Sequence, residues 1–503
     1  MGSSRKGGKA KMAFARSNFV TNSTPQLRVL SDTQIYEIYL TVLEVLERTG
    51  VEVFDQECLD LLAGAGARVE GKKRVRIPSY LVEDALKSAP RRVALSTRDG
   101  ERKVFLEDSK VYFGTGSDCP YILDSFTGER RTVLKQDVAK GALIADSLPN
   151  IDFFMSLGLV SDVPAAVSDR HQFQAMLLNT RKPIVFTAHD EAGMADIIEM
   201  TVVAVGSKEK LRNNPSIVLY AEPTSPLQHS QTALRKLLLA ADESIPMIYT
   251  PGHTAGGTAP VTLAGTLVLN NAEVLSGLVI SQLRKRGAPF ICGGLPTILD
   301  MKTAIFSYGA PEMHLLSAAS SEMAHYYRLP VFSTAGCTDS KVVDQQAAIE
   351  SALSCLMGAL SGANLVHDVG YVESGMTGSY DMLVMGNEVI AMVKRIMGGM
   401  ELSEETLALE VIDKVGPGGG FLQEKHTLTH FKKEQWAPEF MDRSSYGKWH
   451  QAGAKTMGQR VNEKVKRILA EYQPKPISPE QVKGIDAILA RAEAKRRGSP
   501  EAM

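Results

Sequence analysis

The first hundred residues carry apolar positions at the spacing of helices. Between residues 32 and 49, apolar and aromatic side chains recur every three or four positions, at Ile35, Ile38, Tyr39, Val42, Val45 and Leu46. Gly50 follows them, and glycine is a typical residue at the end of a helix. Pro78 suits the first turn of a second helix. With the short apolar runs between them, these helices predict an N-terminal helical cap at residues 30–110.

From residue 111 the pattern changes to short apolar or β-branched runs that alternate with helical stretches. Eight runs are candidate strands: 111–114, 152–157, 183–187, 216–221, 246–250, 289–293, 330–334 and 364–368. A helical pattern follows each run, the last over 380–397. Eight such units are typical of a closed parallel barrel, so the predicted fold is α/β, a (β/α)8 TIM barrel at residues 111–400.

An open, doubly wound sheet is the alternative fold. Such a sheet normally places a glycine-rich, phosphate-binding turn after its first strand. The turn here, Gly114-Thr115-Gly116, lacks the third glycine at the expected spacing. The missing glycine and the eight strand–helix units therefore favour the barrel.

Two regions extend the predicted barrel. Residues 119–134 exceed a usual βα loop, and the strand-like triplets 121–123 and 132–134 predict a hairpin over the barrel mouth. Residues 401–503 are predicted to form a C-terminal helical extension packed on the barrel, with one helix starting after Ser403. The glycine-rich stretch 416–420 is interpreted as a linker or a mobile lid. The charged final helix, from Pro479 to Arg497, is predicted to lie on the surface or to contact another subunit.

The composition is that of a soluble globular protein. The 503 residues are 44% apolar and 22% charged, with 56 basic against 57 acidic side chains. This balance gives no broad electrostatic footprint for nucleic acid. Five cysteines without a CxxC pair argue against a disulfide framework or a zinc knuckle, and they indicate a reducing, cytoplasmic setting.

Two segments of the sequence could be taken for a secretory signal or a membrane span. Residues 1–29 open with a basic stretch rich in Gly and Ser and without an apolar core, which predicts a disordered arm rather than a secretory signal. Binding of this arm to an acidic partner is the alternative. The most apolar stretch runs from Val261 to Leu283, where Asn270 and Glu273 interrupt it. A buried barrel helix is therefore predicted, and no membrane span.

The carboxyl ends of the predicted strands carry aromatic, hydroxyl, histidine and carboxylate side chains, and neither Lys nor Arg. In barrel enzymes the active site lies at these ends. A phosphorylated or strongly anionic substrate is therefore not favoured. A cation fits better, because aromatic faces and carboxylates both attract quaternary ammonium groups.

The same strand ends suggest two other chemistries, metal binding and nucleophilic catalysis. His189, His253 and His367 follow different strands, but no HxH or HExxH spacing supports zinc, so no metal is expected. Cys337 follows the seventh strand and has His367 on the adjacent strand as a geometric base for a nucleophile. The alternative is that Cys337 is a small buried apolar residue, as free cysteines commonly are.

The segment Ser333-Thr334-Ala335-Gly336-Cys337-Thr338-Asp339-Ser340-Lys341 resembles the trimethylamine:corrinoid methyltransferase family. That family has Ala-Gly, then pyrrolysine, then Thr-Asp and a Lys two positions on, so Cys337 stands at the pyrrolysine position. Further stretches match in order over roughly residues 30–490, among them 113–116, 223–227, 263–267, 271–277, 361–364, 373–377 and 403–408.

The resemblance implies a (β/α)8 barrel that moves a methyl group from a methylated amine to the Co(I) of a separate corrinoid protein. No cofactor is then bound directly, and the partners are the cognate corrinoid protein and a small amine. The resemblance also gives the expectation of a homo-oligomer. Because a thiol at position 337 cannot form pyrrolysine's adduct with a tertiary amine, the resemblance favours a quaternary amine. Glycine betaine is the first expectation, followed by proline betaine, carnitine or butyrobetaine.

Roles for individual residues follow from this reaction as hypotheses. The expected substrate contacts are the aromatic residues and polar groups Tyr112, Phe113, Tyr249, His253, Tyr371 and Glu222. Glu373 is expected to face the cation, and it is named with His367 as catalytic. Three other functions remain open: a barrel lyase or hydrolase with Cys337 as nucleophile, a non-catalytic quaternary-amine binding protein, and an inactive relative.

Overall fold

The computed structural model describes residues 25–497, and parallel pairings link eight short segments of it in sequence order. We number these segments one to eight: Tyr112–Phe113, the paired residues 153 and 154, Ile184–Phe186, Ile217–Ala221, Met247–Tyr249, Phe290–Cys292, Phe332–Thr334 and Leu365–His367. Each segment lies within one of the eight predicted strands. All eight are shorter than predicted.

The pairings run from each segment to the next. Segments three to six pair in continuous register, as do segments seven and eight. Single parallel bridges join segment one to two, two to three, and six to seven. Segment eight also pairs in parallel with segment one, with Leu365 opposite Tyr112. The prediction of an α/β fold with parallel strands is confirmed.

A helix follows every one of these segments. In order they are Lys135–Ser147, Ser168–Asn179, Glu191–Val205, Gln231–Glu243, Leu263–Arg284, Pro311–Tyr327, Gln345–Leu360 and Tyr380–Met397, with a short additional helix at Lys208–Asn213. Several begin at a residue whose side chain accepts an amide hydrogen bond of the first turn, as at Asp190, Ser230, Asp344 and Ser379.

The strand residues alternate between two apolar clusters. Val218 and Tyr220 belong to an inner cluster to which all eight parallel segments contribute, whereas Ile217, Leu219 and Ala221 belong to an outer cluster that the strands share with the helices. This alternation follows from the two-residue period of a strand. The same alternation decides which side chains at the strand ends point toward the inner cluster.

The helix Leu263–Arg284 is the one helix within residues 25–497 whose length and apolar composition would also suit a membrane span, and 72% of its most apolar window is buried inside the protein. Its polar residues Asn270, Asn271 and Glu273 are buried too. The prediction of a buried core helix is confirmed.

The N-terminal region contains three helices and five short strands. The helices are Asp32–Glu44, Gln56–Gly64 and Ser79–Ser88, and the strands are Val51–Val53, Arg68–Glu70, Arg74–Arg76, Val93–Ser96 and Arg102–Leu106. The predicted helix over 32–49 ends in a π-helical turn, Val45–Thr49, before Gly50 at φ 71°. The hairpin 93–106 contributes Leu95 and Val104 to the inner cluster.

The predicted arm at residues 1–29 lies outside the described residues up to position 24. Its last residues are bound to the protein, because the Leu27 amide donates to Leu360 O at 2.9 Å and the Val29 amide donates to Glu322 Oε1 at 2.5 Å.

Small antiparallel sheets lie among the loops that follow the parallel segments. The hairpin predicted for 119–134 is present as Tyr121–Leu123 paired with Arg130–Thr132, two residues earlier than predicted on its second side. It extends a sheet with Tyr371–Val372 and Thr377–Ser379. A second sheet joins Thr254–Ala255, Thr297–Asp300 and Ile305–Ser307, and Gln228–His229 pairs with the N-terminal strand Val51–Val53.

The C-terminal helices are Glu404–Leu407, Leu409–Val415, Lys425–Glu434, Tyr446–Gln451, Met457–Glu471 and Pro479–Arg497. Met457–Glu471 buries Val461, Val465 and Ile468. The final helix was predicted to lie on the surface or to contact another subunit. It lies on the surface, which is one of the two predicted alternatives, and packs one face on this chain's own helix Glu191–Val205, with Ile485 fully buried and Gly484 in close approach to Val203.

Candidate functional site

A cavity of about 290 Å³ lies where the parallel segments end at their carboxyl sides. Segments four and eight and the loops after segments one, five, six and eight line it. The lining residues are Asp118, Tyr220, Glu222, Gly252, His253, Thr254, Leu295, Thr297, Phe306, Tyr308, His367, Asp368, Tyr371, Ser374, Gly375 and Met376. Four of the predicted site residues meet here: Glu222, His253, His367 and Tyr371.

Three carboxyl groups face this cavity: Asp118, Glu222 and Asp368. Burial raises the pKa of Glu222 to about 7, and the charge of Asp118 adds to that effect. Burial likewise raises the pKa of Asp368 to about 7 and the pKa of Asp118 above its usual range. Glu222 and Asp368 therefore hold protons readily near neutral pH, and a bound cation would favour the ionised forms of all three acids.

Four aromatic rings line the same cavity: Tyr220, Phe306, Tyr308 and Tyr371. Tyr220 donates its hydroxyl hydrogen bond to Glu222 Oε1. The hydroxyl of Tyr371 accepts from the Asp118 amide at 2.8 Å. Phe306 and Tyr308 lie with ring centroids 5.4 Å apart. Two tyrosine hydroxyls are thus occupied by neighbouring groups, which orients their rings within the cavity wall.

His367 is held as a neutral imidazole beside Asp368. Its Nδ1 lies 2.9 Å from Ser333 O, a pure acceptor, so Nδ1 carries a proton. Its Nε2 lies 3.3 Å from Asp368 Oδ1. Burial lowers the pKa of His367 to about 4, while that of Asp368 is raised. Below neutral pH the imidazole of His367 is therefore neutral and the carboxyl of Asp368 is largely protonated, so the two groups carry little net charge.

His253 is fixed from outside the cavity. Its Nε2 lies 3.1 Å from Oε1 of Glu273, a residue of the helix Leu263–Arg284. Glu273 also accepts from the Leu227 amide at 2.6 Å and from Ser225 Oγ at 2.9 Å. These donors hold the pKa of Glu273 below its usual range despite its burial. His253 Nδ1 is buried and has no hydrogen-bond partner within residues 25–497.

Among the described residues, no lysine or arginine lines the cavity. The cavity wall is therefore acidic and aromatic with two histidines. Such a wall suits a small cation, because carboxylates supply charge and aromatic faces supply quadrupole attraction.

Glu373, predicted to face the cation, lies outside this cavity. Its Oε2 accepts from Arg130 Nε at 2.7 Å and from Thr377 Oγ1 at 2.6 Å. The φ of Glu373 is 55°, which is rare for a non-glycine residue. The chain therefore turns sharply after Tyr371, and the carboxylate of Glu373 meets the hairpin arginine instead of the cavity.

The other three predicted aromatic residues also lie away from the cavity. Tyr112 opens segment one and packs against the inner cluster, at the opposite end of the strands. Phe113 and Tyr249 belong to the outer cluster between strands and helices. Tyr249 lies against Gly277 of the helix Leu263–Arg284, and its hydroxyl is 2.6 Å from His229 Nδ1. Strand alternation turns Tyr249 away, since its neighbours 248 and 250 are the ones that point inward.

Cys337 is buried and does not line the cavity. Burial raises the pKa of its thiol well above the usual range, and the nearby charge of Asp368 raises it further. A thiol of this kind is not ionised near neutral pH, and the thiolate is the nucleophilic form. The interpretation of Cys337 as a buried apolar residue therefore fits its surroundings.

Four residues of the cavity received no role from the sequence: the strand-end residues Asp118 and Asp368, and the tyrosines Tyr220 and Tyr308. Asp118 and Asp368 follow segments one and eight, so strand-end position was the available signal. Tyr220 precedes Glu222 by two residues and shares its inward face, which strand parity reveals. Tyr308 comes from the long loop after segment six, and no local pattern marks it.

No cluster of three or more metal-ligating side chains occurs in the part of the chain from 25 to 497. His189, one of the histidines considered for zinc, is half-exposed and lies 2.9 Å from Ser168 Oγ. His253 and His367 have their own separate partners.

Comparison with known proteins identifies the family of this chain. The family described as trimethylamine methyltransferase (MTTB) matches residues 2–496. The trimethylamine methyltransferase MttB of Desulfitobacterium hafniense (strain DSM 10664 / DCB-2) is 36% identical over 90% of this chain and 91% of its own length. The glycine betaine methyltransferase of Desulfitobacterium hafniense (strain Y51) is 32% identical over 93% of this chain and 97% of its own length.

Among solved structures, the monomethylamine methyltransferase (MtmB) of Methanosarcina barkeri is similar over 92% of this chain and 94% of that chain. The two share 12% identity with a TM-score of 0.47. The expectation drawn from the motif around Cys337 is confirmed by the full-length match: the chain belongs to the trimethylamine methyltransferase (MTTB) family, whose members at this level of identity are methyltransferases.

Proposed function

We propose that the protein transfers a methyl group from a quaternary amine to the Co(I) centre of a separate corrinoid protein, with glycine betaine as the preferred substrate. One observation carries this proposal: three carboxyl groups and four aromatic rings line a small cavity whose described lining contains no lysine or arginine. That wall suits a trimethylammonium group and disfavours an anion.

The thiol at position 337 supports a quaternary rather than a tertiary amine. Cys337 is buried outside the cavity lining and has no electrophilic centre with which to hold a neutral amine. A quaternary nitrogen already carries its positive charge and leaves as a neutral amine. Such a substrate needs orientation and no covalent activation, which matches a cavity without a nucleophile.

The relative that acts on glycine betaine supports a betaine in particular. A betaine carries a carboxylate beside its ammonium group, and His253 is the histidine of the cavity whose Nδ1 remains without a partner within the described chain. The carboxyl wall of Asp118, Glu222 and Asp368 would receive the ammonium group, and His253 the carboxylate. The small cavity favours glycine betaine over the longer carnitine and butyrobetaine.

We also propose that the strand set is a closed (β/α)8 barrel. The support is the sequence of parallel pairings from segment one to eight and the pairing of Leu365 with Tyr112. In such a barrel the active site lies at the carboxyl ends of the strands, where this cavity lies.

The cavity accommodates a small amine, and a corrinoid macrocycle is larger than about 290 Å³ allows. A corrinoid carried by a partner protein fits this size, because it needs only to reach the cavity rim, where Met376 is 39% exposed. When bound, the reduced corrinoid supplies the nucleophile that accepts the methyl group. The chain's own residues would orient the amine and keep water from it, so their contribution is proximity and alignment.

The test is a demethylation assay with glycine betaine, proline betaine, carnitine, butyrobetaine and trimethylamine. Cobalamin reduced to Co(I) serves as acceptor, and methylcobalamin formation is followed by its absorption spectrum. We expect glycine betaine to give the highest rate. Turnover of trimethylamine alone would contradict the proposal.

The same assay separates the remaining functions. A lyase or hydrolase using Cys337 would turn over substrate without any corrinoid and would be inhibited by thiol alkylation. A binding protein or an inactive relative would bind the amine but would form no demethylated product. The burial of Cys337 and its raised pKa speak against the first of these.

A further inference from the structure

Residues 400–434 form a lobe that has no buried residue. The lobe contains the helices Glu404–Leu407, Leu409–Val415 and Lys425–Glu434, and none of them buries a side chain. Nine large apolar side chains of the lobe are between 39% and 87% exposed: Met400, Leu402, Leu407, Leu409, Ile412, Phe421, Leu422, Leu428 and Phe431.

The two ends of the lobe are held together by the side chain of Arg395. Arg395, near the end of the helix Tyr380–Met397, donates to Gly399 O at 3.0 Å and to Glu434 O at 2.9 Å. Inside the lobe the contacts are polar, such as Lys414 with Glu424 at 2.6 Å. Helices of four to ten residues are not stable in water by themselves, because short helices do not offset the cost of nucleation. The lobe therefore needs apolar cover whenever it is folded.

The lobe leaves the protein at the end opposite the candidate site. The helix Tyr380–Met397 begins after segment eight and runs back, so that Lys394 pairs with Asp152 at 3.2 Å. Asp152 lies just before segment two, at the amino-terminal ends of the strands. A partner that reaches the cavity approaches the carboxyl ends, and the lobe is therefore poorly placed to receive it.

We propose that the lobe, residues 400–434, is a self-association surface that pairs with the same lobe of a second copy of this chain. Nine side chains of this size present on the order of 1,000 Å² of apolar surface, and a standard interface buries about 800 Å² of each partner. A second copy of the chain is always available, so it can bury these apolar side chains whenever the lobe is folded.

The charges of the lobe also suit pairing with itself. Acidic residues such as Glu401, Glu405 and Glu410 are interspersed with basic residues such as Lys425 and Lys432. In a two-fold interface the same patch faces itself, so a patch of one sign would repel its copy. A mixed patch lets each carboxylate face an amine across the two-fold axis.

Sedimentation velocity of the full-length protein over a range of concentrations tests this proposal. The double variant Leu422→Asp/Leu428→Asp changes two side chains that are 87% and 73% exposed. We expect wild type to be a dimer, or a higher assembly built from dimers. We expect the variant to dissociate at least about tenfold more readily, which is ~1.4 kcal/mol. The matched control is Val261→Asp/Met301→Asp, at 64% and 67% exposure near the candidate site, and it should associate as wild type does.

Cross-linking gives a second measurement that does not depend on a charged variant folding. The five native cysteines are buried, so Leu422→Cys introduces an exposed thiol. A bis-maleimide should join two chains through position 422 and should not join them in Met301→Cys. A monomeric wild type, an unchanged dimer in the double variant, or no cross-link at position 422 would each overturn the proposal. If another part of the same chain covered the lobe, the Leu422→Cys variant would be a monomer and its thiol would resist alkylation.

Discussion

Oε1 of Glu273 lies 3.1 Å from Nε2 of His253 and so orients this cavity-lining imidazole. Glu273 is ionised, since the Leu227 amide and the imidazole of His253 keep its pKa below the usual range. The cavity wall therefore holds an oriented imidazole together with the carboxyl groups of Asp118, Glu222 and Asp368.

Replacing Glu273 should affect only substrates that carry a carboxylate. Glu273→Gln retains the shape of the side chain and removes its charge, so His253 loses the carboxylate that holds its ring in place. We expect the Kd for glycine betaine to rise about tenfold, or ~1.4 kcal/mol. The Kd for tetramethylammonium, which has no carboxylate, should change less than about twofold, and calorimetry measures both. Equal losses for the two ligands would mean that Glu273 has a general structural role.

Neutralising Glu222 should weaken methyl transfer far more than neutralising Glu373. Glu222 lines the cavity, whereas Glu373 is paired with Arg130 outside it. We expect Glu222→Gln to lower kcat/KM by about 10- to 100-fold, because it removes one of the three carboxyl groups that face the cation; each tenfold corresponds to ~1.4 kcal/mol. Glu373→Gln should retain at least about half of the wild-type value. The reverse order would restore the sequence-based assignment of Glu373.

Amine binding should strengthen as pH rises through neutrality. The pKa values of Glu222 and Asp368 are each raised to about 7 by burial, so both acids are largely protonated at pH 6. A cation binds the ionised forms better, and its affinity should therefore increase between about pH 6 and 8, with release of protons to the buffer. Titrations in buffers of different ionisation enthalpy measure that release. An affinity independent of pH would contradict this account of the cavity.

Stability without ligand should follow the opposite trend. A carboxyl whose pKa is raised by folding binds protons more tightly in the folded state, so the folded state is destabilised as pH rises from about 4 to about 7. Denaturant unfolding of the double variant Glu222→Gln/Asp368→Asn should show a smaller loss of stability over this range than wild type. A parallel loss in both proteins would show that other groups dominate.

Cys337 should be dispensable for methyl transfer. The thiol is buried, its pKa is raised, and it does not line the cavity. We expect iodoacetamide to leave the native protein active, and Cys337→Ala to retain activity with a loss of about 1–2 kcal/mol in unfolding free energy from the small space left behind. Rates of methylcobalamin formation and urea melts measure the two effects. A loss of turnover in a variant that still folds would assign the thiol a catalytic role.

The segments of strand and helix were predictable because each leaves a local pattern. Eight apolar runs followed by helical patterns correspond to the eight parallel segments, and the interrupted apolar stretch from Val261 to Leu283 is a buried helix. The absence of Lys and Arg at the strand ends also predicted the acidic, aromatic character of the cavity. The motif around Cys337 indicated the family, which the comparisons confirm.

The choice among strand-end residues depended on geometry that no local pattern records. Tyr249 and Tyr220 both lie in parallel segments, but one faces a helix and the other the inside, because neighbouring residues of a strand point to opposite faces. Register therefore decides which tyrosine meets a substrate, and a shift of one residue reverses the answer.

By itself, the sequence determined the α/β architecture, the family and the cationic character of the expected substrate, since these depend on periodicity, motif order and residue type. Only the tertiary structure decided that Asp368 faces the cavity while Glu373 pairs with Arg130, and that Tyr308 joins them from a distant loop. The physical reason is that a site is assembled from segments far apart in the chain. Their relative placement is set by packing across the whole fold.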